Sequence, residues 1–257
     1  MNNFNKLQWA NIAGLIGVVV INILANTLPI NGITTGEVSD AYPNLFAPAG
    51  FTFAIWLVIY LLLGAFVAHQ ARGLFSRRGV PEDILTRVGY YFFASSLLNM
   101  AWIFAWHYER IGFSLLLMVL IFLSLAAIYV RLGARPLSRQ DFLFVQIPFS
   151  VYFGWISVAT IANVTTYLVS VNWQGFGLSQ PFWAFVMVLA GALVALLNTW
   201  VRKDTAYLLV FVWAFIGIGA KRLMEPPVYF MVLVAVAASL ALFGYLLYRE
   251  LSPRGRS

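Results

Sequence analysis

The sequence predicts an all-α, polytopic membrane bundle of eight helices, and three observations carry that prediction. The chain is 62% hydrophobic and 10% charged, with a mean hydropathy of +0.85. No soluble domain of 257 residues could hide so much apolar surface. The apolar residues come in continuous runs rather than strict alternation, which suits helical spans and excludes β-barrel strands. Finally, the basic residues fall in short segments between those runs, which is how membrane topology is written.

A hydrocarbon core of ~30 Å needs roughly 20 helical residues. Eight stretches qualify, near 9–29, 50–71, 86–107, 112–132, 142–171, 181–201, 205–220 and 226–248. The first follows a single base, Lys6, and has no small-x-small site after Asn22, so it is expected to be a retained helix rather than a cleaved signal. Pro48 suits the first turn of the second span, where a missing N–H costs nothing. Trp106-His107-Tyr108-Glu109-Arg110 reads as the turn between the third and fourth spans. The fifth is long enough to tilt or to run past the membrane surface. The polar, uncharged stretch from Asn172 to Pro181 separates five spans from three and is the expected module boundary. The seventh is short, and Lys221-Arg222-Leu223-Met224-Glu225-Pro226-Pro227 reads as a charged anchoring turn before the eighth.

Charge sets the orientation. With the N-terminus inside, thirteen of the sixteen Lys and Arg residues lie inside and three (Arg110, Lys221, Arg222) outside. Both termini are therefore expected to be cytoplasmic, in a bacterial-type cytoplasmic membrane. The net charge of +7 is accounted for by this placement, so nucleic acid is not an expected partner; the lipid bilayer is.

Several chemistries are excluded or disfavoured. There is no cysteine, hence no disulfide, thiolate metal site or cysteine nucleophile. All nine carboxylates sit in loops or at helix ends, which disfavours an ion-coupled transporter with a midplane proton relay. His69 reads as an interfacial residue and His107 as a turn residue at the opposite face, so they cannot share a metal. No catalytic triad or phosphate-cradling Gly loop is present. No catalytic or metal-ligating residue is assigned, and no cofactor is required.

What remains is a set of aromatic and amide side chains at helical spacing. Asn99, Trp102 and Trp106 stand at i, i+3 and i+7; Tyr152, Trp155, Ala159 and Asn163 share a second face, with Thr160 beside them; Trp56 and Tyr60 share a third, after Phe53. An amide in hydrocarbon needs a partner, and indoles with amides around one cavity suit a flat, mostly apolar ligand. Spacing alone serves a ligand-facing and a packing role equally for Trp56, Asn99 and Trp155, and Asn163 could satisfy a neighbouring backbone. Asn22, Asn26 and Asn198 read as interhelical glue. Trp9, Trp173, Trp183 and Trp200 read as an interfacial belt.

Three of these motifs, in order, resemble the TspO/translocator protein family, also called tryptophan-rich sensory proteins. Leu98-Asn99-x-Ala101-Trp102 with Gly112 is similar to its third helix, and Tyr152-x-x-Trp155-x-x-x-Ala159-Thr160-x-x-Asn163 to its fifth. Pro48, Trp56 and Tyr60 are similar to the end of its first loop and its second helix. The resemblance covers about residues 8–172. It implies a TspO-like five-helix transmembrane domain at 1–172 with a three-helix transmembrane extension at 173–257. It also implies a pocket for porphyrins, sterols or benzodiazepine-type ligands, opening towards the first loop, and a homodimer as in relatives, unless the extension covers that face and leaves a monomer. By resemblance Trp56, Asn99 and Trp155 contact the ligand, Tyr60, Trp102 and Ala159 complete the wall, and Pro48, Phe53 and Asn163 adjoin it. The chain departs from the family at Phe46-Ala47-Pro48-Ala49-Gly50-Phe51, which has one Pro and no Trp, at Ile103-Phe104 in place of a Pro pair, and at Leu117 in place of an acid. The expected function is a non-enzymatic receptor or sensor for a hydrophobic aromatic ligand of porphyrin, tetrapyrrole or sterol/isoprenoid type. A photo-oxidative porphyrin-degrading enzyme and a carrier for a small hydrophobic metabolite are the alternatives.

Overall fold

A computed structural model describes residues 3–28, 30–75, 82–224 and 229–251. Arg77, Arg78, Arg254 and Arg256, and Glu225, Pro226 and Pro227 of the expected charged turn, lie outside the described residues. Among those described, eight helices are long and apolar enough to cross a membrane. They are α1 (Asn3–Thr27), α2 (Ile55–Phe75), α3 (Tyr91–His107), α4 (Ile111–Leu132), α5 (Ile147–Ser170), α6 (Gln180–Arg202), α7 (Thr205–Met224) and α8 (Phe230–Leu251). The protein is an integral, multi-pass membrane protein of all-α class. Eight crossings put both ends on one face, called terminal below; the other is called distal.

The helices pack in two groups. α1 lies against α2 and α3, α3 against α4, α4 against α5, and α5 against α2, closing a five-helix ring. α7 then packs on α5, while α6 and α8 pack on α7 and on each other. Burial identifies the centre: 61% of the apolar window is buried in both α5 and α7, against 28–44% in the other spans. Small residues permit the α5–α7 approach. A Cβ on Gly154 would meet the Val210 Cβ at 3.1 Å and the Tyr207 carbonyl at 3.3 Å. The Tyr207 hydroxyl donates to Ser157 at 2.9 Å across the same seam.

Local structure departs from the expected boundaries at three places. The fifth span runs continuously over 139–170 but opens with a capped turn and one wide π-turn, Phe142–Gln146. Pro48 is not in the first helical turn: it is buried, two residues before the 3-10 turn Gly50–Ala54 that leads into α2. α7 extends to Met224, so Lys221 and Arg222 belong to a helix and are buried rather than standing in a turn. A span holding two buried cations scores poorly by hydropathy, which is why its end is misplaced by sequence alone.

Polar groups fasten each face. At the terminal face, Gln8 donates to the Gln70 carbonyl (2.8 Å) and Asn11 to the Gln70 side chain (3.0 Å). His69, at this face as expected, is also buried, 3.4 Å from Asp141 and stacked on Phe144 at 5.1 Å. At the distal face a short helix, Thr35–Ala41, begins with a capping box: Thr34 and Glu37 each accept from the other's backbone N–H. The Thr34 N–H and hydroxyl both donate to the Glu37 carboxylate, which holds it below its ordinary value of 4.5. His107, expected in a turn, is wholly buried beneath that helix, with Nε2 3.4 Å from the Thr35 hydroxyl.

Candidate functional site

The connection from α1 to α2 shapes the site. Residues 45–49 are buried, and the chain there is not helical. The Ala49 N–H donates to the Gly217 carbonyl at 3.0 Å. Gly217 lies twelve residues into α7 from Thr205, about 18 Å from the terminal end of that helix at 1.5 Å per residue. Further along, Phe53 meets Trp155 at 6.2 Å, near the middle of the 139–170 span. The connection thus dips from the distal face to mid-depth before α2 begins and carries the chain on to the terminal face.

Backbone at such depth must find its partners within the protein, because lipid supplies none. Asn44 accepts from the N–H groups of Phe46 (3.2 Å) and Ala47 (2.9 Å). Gly217 receives Ala49, and the Trp213 indole donates to the Thr52 carbonyl at 2.9 Å while meeting the Phe51 ring at 5.6 Å. A Cβ on Gly217 would collide with the Thr52 side chain, so only glycine lets the two backbones come this close. Trp213, Gly217 and Thr52 were not singled out by the sequence reading. The available signal was Trp213-x3-Gly217, an aromatic and a small residue one turn apart in an otherwise apolar span.

Below this loop the structure gathers five of the nine candidate residues. Trp56 stacks on Tyr60 (5.6 Å, 20° between planes) and meets Tyr152 at 6.1 Å and Trp155 at 6.2 Å edge-on; Phe53 closes the group against Trp155. Asn99 joins it through an amide chain: Asn22 donates to Asn99 at 3.0 Å, and Asn99 donates to the Tyr152 hydroxyl at 3.5 Å. Asn22 is therefore glue between α1 and α3, as expected, and Asn198 likewise bonds α4 through Tyr129 at 2.9 Å. Asn26, by contrast, donates within its own helix, to the Asn22 carbonyl.

The other four candidates lie elsewhere. Trp102 stacks on Trp106 at 5.4 Å, and Trp106 reaches up to the Thr35 carbonyl at 3.1 Å, so this pair supports the distal helix. Asn163 accepts from Ser114 of α4 at 3.2 Å. Ala159 is half-buried against the core, and Pro48 belongs to the buried, non-helical stretch before α2. Of the expected belt, Trp9 and Trp200 are exposed. Trp173 and Trp183 instead pack together at 4.9 Å, with Trp183 donating to the Gly175 carbonyl at 2.9 Å, which folds the turn between α5 and α6.

Several buried polar atoms of this region have no hydrogen-bond partner: the Tyr60 hydroxyl, the Trp155 and Trp102 indole N–H groups, and the Thr52 hydroxyl. Each such atom costs about 1–3 kcal/mol unless something satisfies it. On the distal side, Tyr42 donates to Glu109 at 2.9 Å, and partial burial together with that carboxylate raises its phenol above the ordinary value of 10. Lys221 reaches across from α7 to Asp40 at 2.6 Å. Among the described residues no group of three His, Asp or Glu side chains could hold a metal. Two cavities of about 390 Å³ and 1300 Å³ lie outside the aromatic group, and neither is lined by Trp56, Asn99 or Trp155.

Comparison with known proteins bears on what this arrangement is. A family model described as TSPO-like protein matches residues 8–247. No curated protein and no solved structure matches the chain significantly. The match runs past the Asn172–Pro181 stretch and through the last three helices, so with its eight membrane helices the chain belongs to the TSPO-like protein family.

Proposed function

We propose that the protein is a non-enzymatic membrane receptor or sensor for a flat, hydrophobic aromatic ligand of porphyrin or isoprenoid size. The ligand lodges among Phe53, Trp56, Tyr60, Tyr152 and Trp155, with both termini in the cytoplasm. One observation carries this reading: indole and phenol rings converge on an amide chain, yet the Tyr60 hydroxyl and the Trp155 N–H stay buried without partners. Flat ligands stack on such rings, and a few polar groups fix their orientation. Trp56 and Tyr60 are only half-buried, whereas Tyr152 and Trp155 are fully buried, so the α2 pair is the side that yields to admit the ligand. The Asn22–Asn99–Tyr152 chain is the orienting end.

The test is a titration of the detergent-solubilised protein with protoporphyrin, following tryptophan emission. Saturable quenching is expected, with affinity falling at least tenfold, about 1.4 kcal/mol, in both Trp56→Ala and Trp155→Ala. Unquenched emission, or unchanged affinity in both variants, overturns the proposal.

A further inference from the structure

We propose that the groove bounded by α2, α5 and α7 is a binding site for an anionic phospholipid. Its phosphate sits at the terminal face among Arg135, Arg139, Arg202 and Lys203, and its chains lie along the apolar wall. The site is separate from the aromatic group and does not rest on the receptor reading.

The groove has a volume of about 1300 Å³ and two chemically different ends. Its wall at membrane depth includes Val58 of α2, Val151 of α5, and Leu209 and Trp213 of α7. Val58 and Leu209 are each 49% exposed, so the wall is open to the bilayer rather than sealed by protein. At its mouth, four bases from two separate connections line one opening: Arg135 and Arg139 between α4 and α5, Arg202 and Lys203 at the end of α6.

The topology rule alone asks only that bases lie somewhere on this face; it does not ask that they converge on one groove. Asp204 is the one carboxylate in the lining, and its oxygens are already engaged, by the Tyr129 hydroxyl at 2.7 Å and the Tyr207 N–H at 3.0 Å. Its charge offsets one of the four bases, and the mouth stays net positive. Arg202 is itself placed over the Tyr129 ring at 5.7 Å, which keeps its guanidinium beside the opening. A basic pocket between membrane helices, at headgroup level with an apolar channel behind it, fits a phosphate attached to acyl chains.

Acyl chains are solvated by lipid whether or not they occupy the groove. The wall therefore supplies fit, and the bases supply the choice of headgroup. The quantity to measure is preference for an anionic over a zwitterionic lipid with identical chains. Each base near a headgroup changes affinity by roughly fivefold.

The full chain, delipidated in detergent, is offered equimolar dioleoyl phosphatidylglycerol and dioleoyl phosphatidylcholine, and retained lipid is counted by native mass spectrometry. Preferential retention of phosphatidylglycerol is expected, with the preference falling about fivefold in Arg202→Gln and in Lys203→Gln. Arg131→Gln, an exposed base on the same face but outside the groove, should leave it unchanged. Leu209→Trp, which fills the channel, should lower retention of both lipids. Equal retention of the two lipids by the unmodified chain overturns the proposal. So does a loss in Arg131→Gln equal to that in Arg202→Gln, which is the signature of diffuse surface charge. Glycerol phosphate, the headgroup without chains, is the last arm: if it displaces phosphatidylglycerol at equal concentration, the site is for a free anion and the lipid proposal fails.

Discussion

The five-helix part and the last three helices divide the labour unevenly. Residues up to α5 carry two interhelical amide bonds among themselves (Asn22 to Asn99, Ser114 to Asn163) and the whole aromatic group, while Asn198 ties α6 to Tyr129 of α4. The last three helices add few polar side chains at membrane depth, yet α7 supplies what the dipping loop lacks. Gly217 contributes a backbone acceptor, Trp213 an indole, and Lys221 a partner for Asp40. The loop 46–51 has no tryptophan of its own, and the indole against it comes from a residue 161 positions later than its acceptor Thr52. α7 is therefore part of the roof over the aromatic group.

The sharpest way to break that arrangement is at Gly217. Gly217→Leu forces a side chain into the space of Thr52 and should cost about 3 kcal/mol by overpacking, read as a lowered Tm in detergent. Gly217→Ala should cost less, and Thr52→Ala in the same chain should recover most of the loss, because the crowding atoms belong to the Thr52 side chain. A Gly217→Ala loss that is unchanged by Thr52→Ala would mean that the two residues are not in contact.

The next effect falls in the five-helix part. Asn99→Leu leaves the Asn22 amide with only its own-helix bond to Val18, and removes the donor to Tyr152. The expected loss is about 1 kcal/mol, within the range for amide bonds between membrane helices. Asn22→Leu should cost a similar amount, and the double variant less than the sum, since both singles strand the same pair. Additive losses would show that the two amides act independently.

These contrasts also explain what could be read in advance. The eight spans were legible because hydrocarbon imposes a length and a composition on any helix that crosses it. Asn22 as glue was legible because an amide in that setting needs a partner. The dipping stretch before α2 was not, because Phe46, Ala47, Phe51 and Phe53 are as apolar as a helix and hydropathy does not see backbone conformation. Its partner on α7 was hidden by sequence separation: periodicity reports which residues share a face, never which face is opposite. Lys221 and Arg222 were misplaced for a related reason, since a charged residue reads as an end even where the bundle buries it. Spacing put Asn99 and Trp102 on one face of α3, but that face meets two neighbours. Asn99 faces α1 and α5, while Trp102 stacks towards the distal helix.

A smaller test of the roof is Lys221→Gln. It removes the ion pair with Asp40, whose carboxylate is largely exposed, so the loss should be about 0.5–1 kcal/mol and should shrink at high salt. If the loss is independent of salt, the Lys221 stem and its packing matter more than its charge.

The smallest expected effect lies at the start of the distal helix and has a defined sign. Glu37 accepts hydrogen bonds from the Thr34 N–H and hydroxyl in the folded protein, which holds its carboxyl below 4.5, the value it would have unfolded. The ionised form is therefore favoured by folding. Its contribution is fully present above the unfolded value and is lost as pH falls through the lower, folded one. Hydrogen exchange over Thr35–Ala41 should be slow at pH 7, after correction for intrinsic rates, and protection should fall below pH 4.5. Glu37→Gln should remove most of that pH dependence while leaving the Thr34 half of the cap in place. Because Trp106 and His107 hold the same helix from beneath, the loss should stay confined to its first turn. Loss of protection spreading into α3 would mean that the cap, and not the buried pair, anchors the distal helix to the bundle.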